Sequence, residues 1–358
     1  MSQRGFDMIF KNCCVNGVLT DIISENGKIK KICRTDEAGV DLKGAKVFPG
    51  LIDVHTHGCV GFDTMDGDKL DKMSEFLAKN GVTSFLPTTM TVDMEKIKNV
   101  VNADLPRTKG AQILGFHLEG PYISKNRKGA QNEKFIKNPD SEEFGALKNV
   151  KMVTLAPELP GSLDFIEKCG AVVSIGHTDA NYGETLLAIE RGAKCLTHTF
   201  NAMPGLHHRA PGPIGAAVDE NIYVQVICDG LHLHKSVVKM LYRTFTSERM
   251  VLISDSMRAT GLKDGEYEFG GQQVTVSDSV ARLGDGSIAG SASTLLQCVK
   301  KAIEFGIPEK EAFAMASKTP AELMGLNKGR LEEGYDCDLI AVDEDYNVLT
   351  TVINGVVL

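Results

Sequence analysis

The chain has 358 residues, 42% hydrophobic and 24% charged, the balance of a soluble globular protein with room for one large domain and a smaller one. A formal net charge of -8 with no Lys/Arg cluster argues against nucleic acid as a partner, because binding a phosphate backbone needs a basic face. Nine scattered cysteines without paired CxxC spacing argue against a disulfide framework or a thiolate zinc site and fit a reduced, cytoplasmic setting.

In chain order, MSQRGFDMIFKNCC lacks the basic start, long apolar core and cleavage site of a secretion signal, and no later apolar run is long enough for a bilayer. The reading is a protein with no membrane contact. Residues 1–46 read as short strands with turns such as ENGK. Eight apolar runs rich in β-branched residues follow: LIDVH (51–55), SFLPTT (84–89), ILGFHLE (113–119), MVTLAPE (152–158), VVSIGHT (172–178), CLTHTFN (195–201), IYVQVICD (222–229) and MVLISD (250–255). Such runs predict buried parallel strands.

Helical patterns lie between several of them, among them DKLDKMSEFLAKNG, with Leu70, Met73 and Leu77 on one face, NYGETLLAIERGA and KSVVKMLYRTF. Eight strands with intervening helices predict a (β/α)8 TIM barrel over 47–329, with Gly- and Pro-rich loops after 120 and 201 facing substrate. The segment after the last run, GLKDGEYEFGGQQVTVSDSVARLGDGSIAG, reads as hairpins, followed by helices near 291–306, 309–317 and 319–325. The tail CDLIAVDEDYNVLTTVINGVV reads as strand, turn and hairpin, so 1–46 and 330–358 are expected to share a small β domain.

A TIM barrel carries its chemistry at the C-terminal ends of its strands. There the runs end in His55 and His57, in Glu119, in His177, in His198 and in Asp255, with His232 just after the seventh. His55 and His57, at i and i+2 of a strand, face one side. All nine histidines fall between His55 and His234, which points to one site. Burying seven ionisable groups without a metal would leave uncompensated polar atoms at ~1–3 kcal/mol each. A nitrogen and oxygen donor set suits zinc, iron(II), manganese or cobalt better than magnesium or a sulfur cluster.

Glu119 is the expected bridge between two positions, His55, His57 and Asp255 on one side and His177 and His198 on the other. MVTLAPE has no lysine at its end to be carboxylated instead, and one or two divalent ions are expected. A metal lowers the pKa of bound water from 15.7 toward about 7. Asp255 is placed to take the water's proton and pass it to a leaving group, the alternative being a turn cap in SDS. His117 shares the parity of Glu119 and is read as a supporting residue. Cys59 is read as loop packing.

The motifs PGLIDVHTHG, HLEGPYIS, GHTDA, THTFNAMPGLHHR, DGLHLH and SDS, with GRLEEGYDCDLIAVD near the tail, resemble the N-acetylglucosamine-6-phosphate deacetylases of the amidohydrolase superfamily. The resemblance implies a (β/α)8 barrel with a small β-sandwich, a homodimer, and removal of acetate from N-acetyl-D-glucosamine 6-phosphate in amino-sugar catabolism or recycling. It implies that His232 polarises the acetyl carbonyl and steadies the oxyanion. It also implies that Asn201 and Ala202 contact phosphate, and that Arg209 grips the phosphate of the neighbouring subunit's site. His207 and His208 are read as loop or interface residues. Members often carry histidine where the KGAQ loop here has Gln131, which is expected to hydrogen-bond a sugar hydroxyl. A dihydroorotase-like or N-acyl-amino-acid hydrolase would share the rim without Asn201, Ala202 and Arg209. A catalytically dead scaffold would have lost ligands, and here every ligand position is filled.

Overall fold

Runs that are apolar at every position have no solvent face, so they pair as parallel strands covered on both sides. The central runs do so in the computed structural model, which describes residues 7–106, 108–278 and 280–358. The strands are β1 (Leu51–Thr56), β2 (Val82–Pro87), β3 (Phe116–Glu119), β4 (Val150–Leu155), β5 (Val172–Ile175), β6 (Cys195–Leu196), β7 (Tyr223–Ile227) and β8 (Met250–Ile253). They form two parallel arcs. One joins β1, β2 and Gln112–Ile113; the other runs from β3 to β8 in chain order. Single parallel bridges, Thr88 with His117 and Thr56 with Ser256, cross the two seams between the arcs.

The run 113–119, expected as one strand, is broken at Leu114 and Gly115. Leu114 donates its N–H to Phe85 in one arc, and Phe116 donates to Asn149 in the other. Gly115 makes the turn at φ +128, where a Cβ would stand 2.6 Å from the Asn149 carbonyl oxygen.

The helix Leu70–Lys79 buries Leu70, Met73 and Leu77 as its spacing predicts. The helix Tyr182–Glu190 starts at a capping box between Asn181 and Glu184. The three expected helices near the end are Leu295–Glu304, Glu309–Met315 and Lys318–Met324. Between the strands, Ile52, Val54, Leu86, Met152, Ile227, Val251 and Ile253 are at most 1% exposed and pack together. Burial of this kind contributes about 1.5–3 kcal/mol per side chain and makes a rigid floor for groups at the strand ends.

The two chain ends share one sheet. Leu339–Val342 pairs antiparallel with Lys46–Pro49, so the expected edge at 46 falls inside a strand of this sheet. Phe10, Cys13, Ile22, Val47, Leu339 and Val352 form its core. The hairpins expected after β8 are Gly265–Phe269, Gln272–Ser277 and Val280–Leu283. No helix among the described residues is long and apolar enough to cross a membrane.

Candidate metal centre and its cleft

His55, His57, Glu119, His177, His198 and Asp255 converge at the C-terminal ends of the strands, each at most 7% exposed. Glu119 Oε1 lies 3.2 Å from His177 Nε2, 3.1 Å from His198 Nε2 and 3.2 Å from His55 Nε2, and Glu119 Oε2 lies 3.2 Å from His57 Nε2. Asp255 Oδ1 is 3.4 Å from His55 Nε2 and 3.3 Å from His57 Nε2. The donors fall into two groups that share Glu119: His55 and His57 in one, His177 and His198 in the other.

The outer ring nitrogens explain why these residues fit a cation. His57 Nδ1 faces the Thr88 carbonyl at 3.2 Å, His177 Nδ1 that of Arg127 at 2.9 Å, and His198 Nδ1 that of Asn201 at 3.2 Å. His55 Nδ1 faces the Gln225 side-chain oxygen at 3.1 Å. All four partners are acceptors, so each Nδ1 carries the proton and each neutral ring aims its Nε2 lone pair inward. Yet His177 Nε2 and His198 Nε2 stand 3.0 Å apart, and those of His55 and His57 stand 3.3 Å apart. Facing lone pairs beside two carboxylates repel unless positive charge lies between them. With no cation present, burial opposes charge on His57, but Asp255 and Glu119 overcome it and push the ring up to about 10. Burial likewise favours a neutral Asp255, and the His55 and His57 charges override it and hold the carboxyl at about 2. The protons stand where divalent ions would, which is the donor chemistry of a metal centre.

The backbone is bent to serve this geometry. His177 has φ +46, His198 +26 and Asp255 +47, all in the left-handed region. Such conformations cost about 1–3 kcal/mol each and persist where surrounding bonds over-determine them. Here Asp255 N–H donates to the His55 carbonyl, Ser291 N–H to that of Asp255, and Ser124 N–H to that of His177.

Supporting residues sit just below. His117 bonds Thr154 Oγ1 at 2.8 Å and packs edge-on against His55, and burial among histidines drives its pKa well down. Asp53 accepts the Ser254 hydroxyl at 2.5 Å and the His55 N–H at 3.2 Å, which ties β1 to β8. Sequence reasoning passed over Asp53, although it lies two residues before His55 on the same strand face. Cys59 is buried with its thiol pushed up by burial, so it remains a packing group.

The centre opens into a cleft of about 430 Å³ whose lining includes Asn201, Ala202, His232 and Gln131. Phe269 also lines it and meets His57 edge-on at 5.2 Å, a contact contributed by the hairpins that nothing in the local sequence announces. His232 Nδ1 is 2.7 Å from Asp229 Oδ2; sequence reasoning missed Asp229, although it opens the DGLH motif. Gln131 lines the cleft wall, its Nε2 donating to Glu119 Oε2 at 2.7 Å and its Oε1 accepting the Thr91 N–H at 2.7 Å. Arg209 lies outside this lining, on an exposed loop with His207 and His208, and makes no ion pair among the described residues.

Strand-end histidines and carboxylates on a parallel α/β sheet are the donor set of a metal-dependent hydrolase. The amidohydrolase family model matches residues 47–358. A deacetylase of N-acetylglucosamine 6-phosphate from Vibrio furnissii is 38% identical over 356 residues, 93% of this chain and 89% of its own length. The crystal structure of the Pasteurella multocida N-acetylglucosamine-6-phosphate deacetylase superposes with a TM-score of 0.92 at 31% identity, over 99% of this chain and 100% of that one. A mutant of the Mycobacterium smegmatis enzyme in complex with N-acetyl-D-glucosamine-6-phosphate superposes with a TM-score of 0.90 at 30% identity, over 99% of both chains. The chain belongs to the amidohydrolase family, among its N-acetylglucosamine-6-phosphate deacetylases.

Proposed function

We propose that the chain hydrolyses N-acetyl-D-glucosamine 6-phosphate to acetate and glucosamine 6-phosphate at a centre of one or two divalent ions. The observation that carries this reading is the inward convergence of four Nε2 atoms whose outer nitrogens are all committed to acceptors, at the head of a cleft that includes Asn201, Ala202 and His232. Glu119, His177 and His198 would hold one ion, and His55, His57, Asp255 and Glu119 the other. Zinc or iron(II) suits this donor set best, with manganese and cobalt next. When bound, such an ion supplies an acidified water and a Lewis acid for the amide carbonyl.

The remaining work falls to side chains. Asp255 Oδ1 faces the histidine pair, which leaves Oδ2 to accept the proton of the attacking water as the C–O bond forms. The same oxygen returns that proton to the amide nitrogen as the C–N bond breaks, so the amine and not an amide anion departs. His232 donates from Nε2 to the developing oxyanion. Asn201 and the Ala202 N–H orient the phosphate from the bend after β6, where Ala202 sits at φ +50. Arg209, exposed and outside its own cleft, fits a role across a homodimer in the neighbouring site.

We further infer that the two arcs are the wall of a (β/α)8 barrel spanning 47–329. The shared terminal sheet folds as a small β-sandwich of 1–46 and 330–358, in a cytoplasmic enzyme of amino-sugar catabolism or recycling. The direct test is acetate release from N-acetylglucosamine 6-phosphate by metal-analysed protein. Its unphosphorylated analogue, the galactosamine epimer, dihydroorotate and N-acyl amino acids serve as comparisons. Turnover confined to the last two would replace this reading with another amidohydrolase activity.

A further inference from the structure

We propose that Gln131 is a positioning residue that fixes the Glu119 carboxylate across the two metal positions by gripping the oxygen turned toward His57. The inference rests on the two-ion reading above. Gln131 is 3% exposed. Its Nε2 donates to Glu119 Oε2 at 2.7 Å, and its Oε1 accepts the Thr91 N–H at 2.7 Å. The partners settle which end of the amide is which, since Thr91 N–H needs an acceptor and the carboxylate needs a donor.

A carboxylate turns easily about its last torsion, whose wells are broad. Around Glu119 the other close side-chain contacts are histidine Nε2 atoms, at 3.1–3.2 Å, and these present lone pairs when the rings are neutral. Gln131 is therefore the one permanent donor touching the carboxylate among the described residues. Its bond fixes the torsion so that Oε1 faces His55, His177 and His198 while Oε2 faces His57. An amide has no charge to lose, so this hold does not depend on pH. Both ends of the amide are tied inside the chain, so the side chain is held in the one orientation that keeps its N–H on Glu119.

The test compares Gln131→Met, of similar length but with no donor, and Gln131→His, which restores an N–H at similar reach, both checked for folding by thermal melting. Zinc is titrated into metal-free protein against a chelator to give one dissociation constant per ion. Gln131→Met should weaken the ion on the His55 and His57 side about 10–100-fold, the usual scale for loss of an outer-shell partner, and leave the other within a few-fold. Gln131→His should recover most of the loss. On a chain already carrying His55→Gln and His57→Asn, Gln131→Met should leave the remaining constant unchanged. Two unchanged constants with a raised KM at saturating zinc would overturn the inference and make Gln131 a sugar contact. Equal weakening of both ions in folded protein would also overturn it. A single ion in the unmodified protein would instead sink the two-ion reading, and the inference with it.

Discussion

Asp229 holds His232 at two points, its Oδ2 2.7 Å from the ring Nδ1 and its Oδ1 accepting the His232 N–H at 2.9 Å, and the same Oδ1 accepts the neighbouring Leu231 N–H at 2.8 Å. A ring whose Nδ1 proton is given to Asp229 has an Nε2–H for the cleft only as imidazolium. Burial works against that charge, and the Asp229 hydrogen bond more than offsets it, so His232 titrates above its ordinary value. The active donor is then present below the folded pKa and lost as pH rises through it. Asp229→Asn should move the alkaline limb of the kcat profile to lower pH, and an unmoved limb would remove the pair from catalysis. His232→Ala should cost about 10²–10³ in kcat with metal content intact. Loss of metal in that variant would make His232 a ligand.

Asp255→Asn tests the proton shuttle with little structural disturbance, because asparagine tolerates the left-handed backbone found at φ +47. Turnover should fall about 10²–10⁴-fold while the ion held by Glu119, His177 and His198 and the KM remain near their starting values. Measured kcat close to that of the unmodified protein would assign the proton to another group.

The strand ends were legible because a buried parallel strand leaves an unbroken apolar run, and a polar residue closing such a run has nowhere to point but the mouth. His55, Glu119, His177, His198 and Asp255 were found in this way. The bends were not legible. CLTHTFN reads as seven strand residues, yet only Cys195–Leu196 forms a strand, because His198 and Phe200 adopt positive φ, which no local preference of these residue types signals. The hold of Gln131 on Glu119 and Thr91 was equally invisible, since those partners lie 12 and 40 residues away in the chain. The pairing of Asp229 with His232 is local, at a separation of three residues, and DGLH carried it in plain view.

Arg209→Ala should raise KM for the phosphorylated sugar roughly tenfold or more, the scale of a charge-assisted hydrogen bond, and leave hydrolysis of the unphosphorylated sugar nearly unchanged. Because Arg209 lies outside its own cleft lining, the sharper measurement is complementation. Mixed dimers of Asp255→Asn and Arg209→Ala protomers should regain activity, since one of the two clefts then has both an intact Asp255 and an intact arginine from its neighbour. Verified heterodimers with no recovered activity would place Arg209 in the service of its own subunit.

The His55 and His57 pair decides how many ions the centre holds. Both rings are buried, both Nδ1 atoms are engaged by acceptors, and both Nε2 atoms lie within 3.4 Å of carboxylate oxygens of Glu119 and Asp255. That is a complete donor set independent of His177 and His198, so protein loaded with excess zinc or iron(II) should approach two ions per chain. The double change His55→Gln with His57→Asn keeps side chains of similar bulk and removes both imidazole donors. It should reduce the count to one and leave partial activity, because Glu119, His177 and His198 still form the other group. The Nδ1 partners of the lost rings, Gln225 and the Thr88 carbonyl, would be left buried without them, at a cost of about 1–3 kcal/mol each, so the variant should also melt at lower temperature. Metal analysis separates the two effects. A lowered melting point with two ions retained would give the pair a structural role, and one ion in the unmodified protein would show that the second donor set does not bind metal.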